Sequence, residues 1–263
     1  MTLRVASYNV RSMKDDVAAL GRVITALRAD VLCVQEAPRF LRWRHRRGRL
    51  AASGGMTVAA GRRTGGVAVL TGPGVRLLHG EGHLLRRFPG LERRAVAIAV
   101  IEAGERPVAV GSVHLDLDAR ARLHHAGEAL ALLEEVAGRF GALPVLAGDV
   151  NERPGAPAWR RFAGRLTDCY AVSPCGDGLT FPARRPRERI DAVFAAEGLS
   201  VLSCGGGDAD PADPPLATDH LPVVAELAVP RRRAPGVDGG RRTPRTGHDT
   251  SRTSSGDPHR RGK

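Results

Sequence analysis

The chain repeatedly builds a short apolar run of strand length and stops it at a polar residue. "LRVASYNV" reaches Asn9, "ADVLCVQEA" reaches Gln35 and Glu36, "PVAVGSVHLD" reaches His114, "LPVLAGDVN" reaches Asp149 and Asn151, and "RERIDAVFA" carries Asp191. Apolar runs of about four to eight residues bounded by turn signals fit strands better than buried helices. Alternation in the first run puts Leu3, Val5, Ser7 and Asn9 on one face. The same period of two predicts common faces for Asp149 with Asn151 and for His114 with Asp116.

Two stretches change to a helical period. Val17, Leu20, Ile24 and Leu27 form a stripe behind Ser12 and Asp15, which resemble a capping box. Residues 119–139 form a second amphipathic helix with Leu123, Leu130, Leu133 and Val136 on its apolar side. The first stripe lies between two strands, which predicts a βαβ unit. In the middle, "MTVAAG", "GGVAVLTG", "VRLLHGEGH" and "RRAVAIAVIEAG" are short strands with Gly-rich turns, the pattern of antiparallel hairpins. "APAWRRFAG" reads as a short helix and "TDHLPVVAELAV" as the last strand. Together these predict two packed mixed β-sheets with helices outside them.

The apolar pattern stops at Pro230. The 263-residue chain has a net charge of +12, but residues 231–263 hold ten Arg or Lys against three Asp, so the first 230 residues carry +5. The expectation is one domain over residues 1–229 and a disordered basic tail over 230–263, which lacks the apolar content to offset its ordering entropy. No run approaches the roughly 20 apolar residues needed to span a bilayer, and the N-terminus enters a strand pattern with no leader-like segment. Cys33, Cys169, Cys175 and Cys204 have no metal-ligand spacing, so a reducing cytoplasm is the expected setting.

Each polar strand end has a local explanation when taken alone. Asn9 and Asp149 suit turns, Glu36 a solvated position, His114 a hydrogen-bonded core position, and Asp219 a helix cap with His220 exposed. Taken together they suit one chemical cause. Carboxylates and an amide are ligands for a hard divalent cation, which points to Mg²⁺ or Mn²⁺ and away from zinc. A histidine beside a carboxylate can exchange a proton with water near neutral pH. Cation, base and amide donors together suit attack at phosphorus.

The ordered series "YNV", "VQE", "SVHLD", "AGDVNERP", "LTFP" with "RIDAVF", and "TDHLPV" resembles the endonuclease/exonuclease/phosphatase superfamily over residues 3–229. The resemblance implies the deoxyribonuclease I-like four-layer sandwich and metal-dependent phosphoester hydrolysis. It places Asn9 and Glu36 at the metal, Glu36 as the main direct ligand, with Asp219 nearby. It gives Asp149 the task of orienting or deprotonating water and Asn151 that of positioning the phosphate. It pairs His220 with Asp191, as base or as a charged phosphate contact, and has His114 stabilise the transition state. Arg11 and Arg94 depart from deoxyribonuclease-type members, which carry acids near these positions. Arginines there could bind additional phosphate.

The substrate is less constrained. Arg39, Arg42, Arg44, Arg46, Arg47 and Arg49 follow Glu36, and Arg184, Arg185, Arg187 and Arg189 precede Asp191. Such runs serve as solvated faces or as rims for a polyanion. Trp43 alone interrupts the first run, which gives little platform for stacking bases. The expected partner is a phosphoester, either nucleic acid held by these rims or a small molecule such as a sugar phosphate, inositol phosphate or lipid head group. A basic nucleic-acid binder on a non-catalytic scaffold is the third reading. Short loops leave selectivity to short rims, and oligomeric state is not legible.

Overall fold

Strand alternation sets the first layer boundary. In β1 (Thr2–Asn9), Leu3 and Val5 face one apolar cluster while Ala6 and Tyr8 face another. The structure, a computed structural model, describes residues 1–231; residues 232–263, and with them nearly all of the segment expected to be disordered, lie outside the described residues. α1 (Val17–Leu27) buries the predicted Leu20, Ile24 and Leu27 together with Val23. Its cap is not Ser12. Asp16 accepts the Ala18 and Ala19 amides at 2.8 and 3.0 Å, because a cap must stand directly before the amides it satisfies. β2 (Val31–Gln35) runs parallel to β1, with Asn9 beside Gln35, so the βαβ unit is present.

α2 (Trp43–Ser53) was not foreseen. It buries only Arg47, Leu50 and Ala51, too few apolar positions to show a stripe. β3 (Thr57–Ala60) and β4 (Ala68–Thr71) form an antiparallel hairpin, and β4 pairs with β2. The chain then enters a second sheet. β5 (Leu77–Leu84), β6 (Ala95–Ala103) and β7 (Arg106–His114) are antiparallel neighbours. α3 (Ala119–Phe140) crosses to β8 (Leu143–Asp149), which pairs parallel with β7. Leu130, Leu133 and Val136 are buried on α3 as predicted, but Leu123 is 39% exposed. Its buried face is carried instead by Ala121, His125, Ala126 and Ala129, and Leu123 sits on the shoulder of an open groove with Arg86 and Phe88.

The remaining elements are α4 (Pro157–Ala163), β9 (Thr167–Asp168), α5 (Cys169–Val172), β10 (Pro174–Cys175), β11 (Asp191–Ala195), β12 (Ser200–Gly205), α6 (Pro214–Ala217) and β13 (Val223–Ala228). One sheet has the order β10-β12-β13-β1-β2-β4-β3 and the other β5-β6-β7-β8-β11-β9. Three apolar clusters fill the spaces: one between the sheets, one under α3 and α4, and one under α1 and α2. Two mixed sheets flanked by helices give the expected four layers. Among the described residues no helix is long and apolar enough to cross a membrane, and all four cysteines are free thiols.

Two details of register build the site. β8 lies so close to β7 that a Cβ on Gly148 would stand 2.0 Å from the Val113 carbonyl oxygen. Glycine there admits the pairing that sets His114 beside Asp149. β11 runs antiparallel to β8 with Asp191 opposite Asp149. Asp191 therefore begins its strand and does not end it, as the sequence pattern had suggested. The antiparallel direction still delivers it to the same end of the sheet.

Candidate active site

Asp149 occupies the centre and is 1% exposed. Asn9 Nδ2 donates to its Oδ2 at 3.1 Å, and the Asn151 backbone amide donates to its Oδ1 at 2.9 Å. His114 Nε2 lies 3.5 Å and His220 Nε2 3.7 Å from Oδ2. On the far side of His220, Nδ1 is 2.9 Å from Asp191 Oδ2. The Phe181 ring packs against the imidazole at a centroid distance of 4.9 Å.

Asn151 reaches the centre by a turn. The strand ends at Asp149, and Asn151 has φ 53, a left-handed conformation that Asn tolerates. Alternation is therefore not what aligns Asp149 with Asn151. The Asn151 side chain donates through Nδ2 to the Leu115 carbonyl at 3.0 Å. His114 and Asp116 likewise do not share a strand face, since β7 stops at His114. Asp116 instead receives Arg94 Nε at 3.3 Å.

The two histidines are driven in opposite directions. Burial lowers His114 to about 4, with Arg94, His220 and Arg39 acting the same way and Asp149 opposing them. Burial also disfavours charge on His220, yet Asp191, Asp149 and Asp219 overcome it and raise its pKa to about 9. The surroundings thus favour the neutral form of His114 and the charged form of His220. Asp149 is raised above the usual carboxylate range, chiefly by burial and then by the charge of Asp191.

Glu36 and Asp219 stand further out. Glu36 is half-buried and has no ion-pair partner among the described residues; Asn9 Nδ2 is 3.5 Å from its Oε1. Asp219 is engaged by Arg11 Nε at 3.3 Å and by the Thr218 hydroxyl at 3.3 Å. Asn9, Glu36, His114, Asp149, Asp191 and His220 thus form one connected cluster, and Asp219 joins it through Thr218, whose hydroxyl donates to the Asn9 carbonyl at 3.0 Å.

The donors fit a hard divalent cation. Glu36 offers a carboxylate with no cation on it, and Asp191 Oδ1 is buried without a hydrogen-bond partner. Asp149, Asp191 and His220 also bring candidate ligand atoms within 4.8 Å of one another. His220 Nδ1 in that trio is already engaged by Asp191 Oδ2 at 2.9 Å. Oxygen donors around Glu36 suit a hard divalent cation.

Residues 6–220 match the Endonuclease/Exonuclease/phosphatase family. The chain belongs to that family. Its members are phosphoester hydrolases that depend on a metal. Among solved structures, the family protein from Bacteroides vulgatus is 19% identical with a TM-score of 0.72, covering 88% of this chain and 100% of its own. The mannosyl-6-phosphatase of Bacteroides thetaiotaomicron is 18% identical with a TM-score of 0.71, covering 86% and 99%. The human Nocturnin catalytic domain with bound sulfate is 17% identical with a TM-score of 0.65, covering 86% and 94%. At these identities the likeness is one of fold. No curated protein matches the chain.

Several supporting groups escaped the sequence reading of this family member. Ser7, Gln35 and Ser112 are fully buried beneath the centre, with Gln35 Nε2 donating to Ser112 Oγ at 3.2 Å. The Thr180 hydroxyl accepts the Ile190 and Asp191 amides, both at 3.2 Å. The available signal for Ser7 and Ser112 was a polar residue two positions before the polar strand end, on the same face as Asn9 and His114. Much of the arginine rim also changes meaning. Arg47 is buried, donates to Pro38 and Val67 carbonyls and lies over the Trp43 ring at 4.9 Å. Arg189 holds Asp168 with two bonds of 3.0 and 2.8 Å and lies over Trp159 and Tyr170. Both brace the fold. Arg184, Arg185 and Arg187 remain exposed and pair with no acid among the described residues.

Proposed function

We propose that the chain is a Mg²⁺- or Mn²⁺-dependent phosphodiesterase acting as a nuclease. The observation that carries this reading is the buried Asp149 held between the His114 and His220 imidazoles at 3.5 and 3.7 Å, with Asp191 behind His220. Asp149 aligns the attacking water through Oδ2 and takes its proton, a transfer assisted by burial, which favours the protonated acid. His220, already charged, contacts a phosphate oxygen. Asp191 fixes its orientation and holds the positive charge in place. His114, as the neutral Nε2–H tautomer, donates to an oxygen that gains charge as the bond forms. Glu36 and Asn9 would hold the cation, whose part is to neutralise phosphate charge.

The preference for a diester polyanion is supported by Arg184, Arg185 and Arg187, exposed on the segment that follows Phe181 and its contact with His220. A phosphatase acting on a small phosphoester is the second reading. It is favoured by a small recess of about 220 Å³ beside Glu36 and His114.

The test is hydrolysis of bis(p-nitrophenyl) phosphate, plasmid DNA, RNA and mannose 6-phosphate with Mg²⁺ or Mn²⁺, with EDTA as the control. The expected result is EDTA-sensitive cleavage of the diesters, with His220→Ala and Asp149→Asn each lowering kcat by about 10²–10⁴-fold. Near-normal rates in both variants would overturn the assignment of residues. Turnover of mannose 6-phosphate alone would select the phosphatase. No EDTA-sensitive turnover of any substrate would return the chain to a binding role.

A further inference from the structure

The small recess shares Glu36 and His114 with the centre and extends from them. Its other walls are Ser12, Lys14, Arg39, Glu92, Arg94 and the backbone of Gly65 and Gly66. Asp149, Asp191 and His220 are buried behind that wall.

Its charge is unbalanced. Arg94 is 6% exposed, with Nε 3.3 Å from Asp116 and Nη1 3.4 Å from Glu92. Arg39 pairs with the same Glu92. Lys14 has no acid partner among the described residues and is exposed at the edge. Glu36 is the expected seat of the metal, so Glu92 in the lining and Asp116 behind Arg94 answer three cations, Lys14, Arg39 and Arg94. Two of them are arginines, whose planar forks suit phosphate oxygens.

Part of the wall is bare backbone. Gly65 and Gly66 both line the recess, with φ +90 and +62, conformations that side-chain-bearing residues rarely adopt. A ligand can approach the main chain closely there.

We propose that this recess binds a second phosphate of the substrate, so that the chain selects phosphoesters carrying another phosphate close to the one that reacts. The proposal rests on the phosphoesterase reading. The reacting phosphate lies by Asp149 and His220, and the second lies across His114 against Lys14, Arg39 and Arg94. This gives the departure at Arg94 and the nearby Arg39 a common purpose. A neighbouring phosphate of a nucleic-acid strand and the second phosphate of a sugar bisphosphate offer the same chemistry.

Two substrate pairs separate these sources. One is the dinucleotide TpT against its 5′-phosphorylated form, and the other is glucose 6-phosphate against glucose 1,6-bisphosphate. The measured quantity is the ratio of kcat/KM within each pair, so any general effect of a variant cancels. The expected ratio is tenfold or more in favour of the extra phosphate in one pair, through KM, and it falls to about one in the Lys14→Ala/Arg39→Ala variant. A ratio near one in both pairs, or an advantage that survives the double variant, overturns the proposal.

Binding gives an independent measurement that needs no turnover. By calorimetry, methylenediphosphonate should bind at least tenfold more tightly than methylphosphonate, and the double variant should remove that difference. If binding behaves this way while no ester is hydrolysed, the phosphoesterase reading fails and the subsite stands. If esters are hydrolysed but neither ratio nor binding depends on Lys14 and Arg39, the subsite alone fails.

Discussion

The two halves of the site satisfy their charges in different ways. On one side Asp149, Asp191 and His220 are buried and answer one another within 3.7 Å. On the other side Glu36 is half-buried without an ion-pair partner among the described residues, and three cations share few acids around the recess. A closed set of charges is suited to holding and moving a proton, because it keeps its geometry with or without a ligand. An open set is suited to binding, because ligands complete it. Under the proposed function, the difference separates chemistry from capture along the line from Asp149 to Glu36.

The sharpest way to break this division is to open the closed half. Asp191→Asn should lower kcat by about 10²-fold or more at every metal concentration, since His220 loses the acid that orients and charges it. Steady-state kinetics across a metal titration checks this; recovery at high metal would show that Asp191 acts in capture instead. Glu36→Gln should behave in the opposite way. Its main defect is metal affinity, so the concentration for half-maximal activity rises at least about tenfold, and added Mg²⁺ or Mn²⁺ restores much of the rate.

The charge on His220 gives a third contrast, readable without substrate. Its pKa rises from 6.5 to about 9 on folding, so the folded state binds this proton more tightly than the unfolded state. The stabilisation is complete below pH 6.5 and is lost as pH rises through 9. The stability advantage of the metal-free wild type over His220→Gln, measured by urea unfolding, should shrink across that window. A constant gap would mean that His220 is not charged in the folded protein. The smallest effects belong to the rim. Arg184→Ala should alter KM for nucleic acid severalfold and weaken its salt dependence with little change in Tm, whereas Arg189→Ala should lower Tm, because it removes the Asp168 pair and its two aromatic contacts.

The parts legible in the sequence were those that repeat. Strand alternation located Leu3, Val5 and Asn9, and the helical stripe located Leu20 and Leu27, because the burial period is imposed on every residue of the element. Contacts set by a single turn or a register were not legible. Asn151 reaches Asp149 by a left-handed turn, Asp191 arrives at the start of an antiparallel strand, and nothing in "WRHRRGRLAAS" shows that Arg47 will be buried while Arg44 is exposed. Long-range pairing decides each of these, and local pattern carries no record of it. The series of strand ends still identified the cluster, because polar groups recur there where packing favours apolar ones.

The seam between β1 and β13 has a consequence for how the molecule comes into being. The first and last strands of the described chain are neighbours, paired from Thr2–Ala228 to Ser7–Val223, and His220 stands just before the last one. A growing chain can present Asn9, Glu36, Asp149 and Asp191 long before it contains the residue that completes them. Pairings between such distant positions form late, so hydrolytic competence should arrive with the final strand, and an unfinished copy should be catalytically silent.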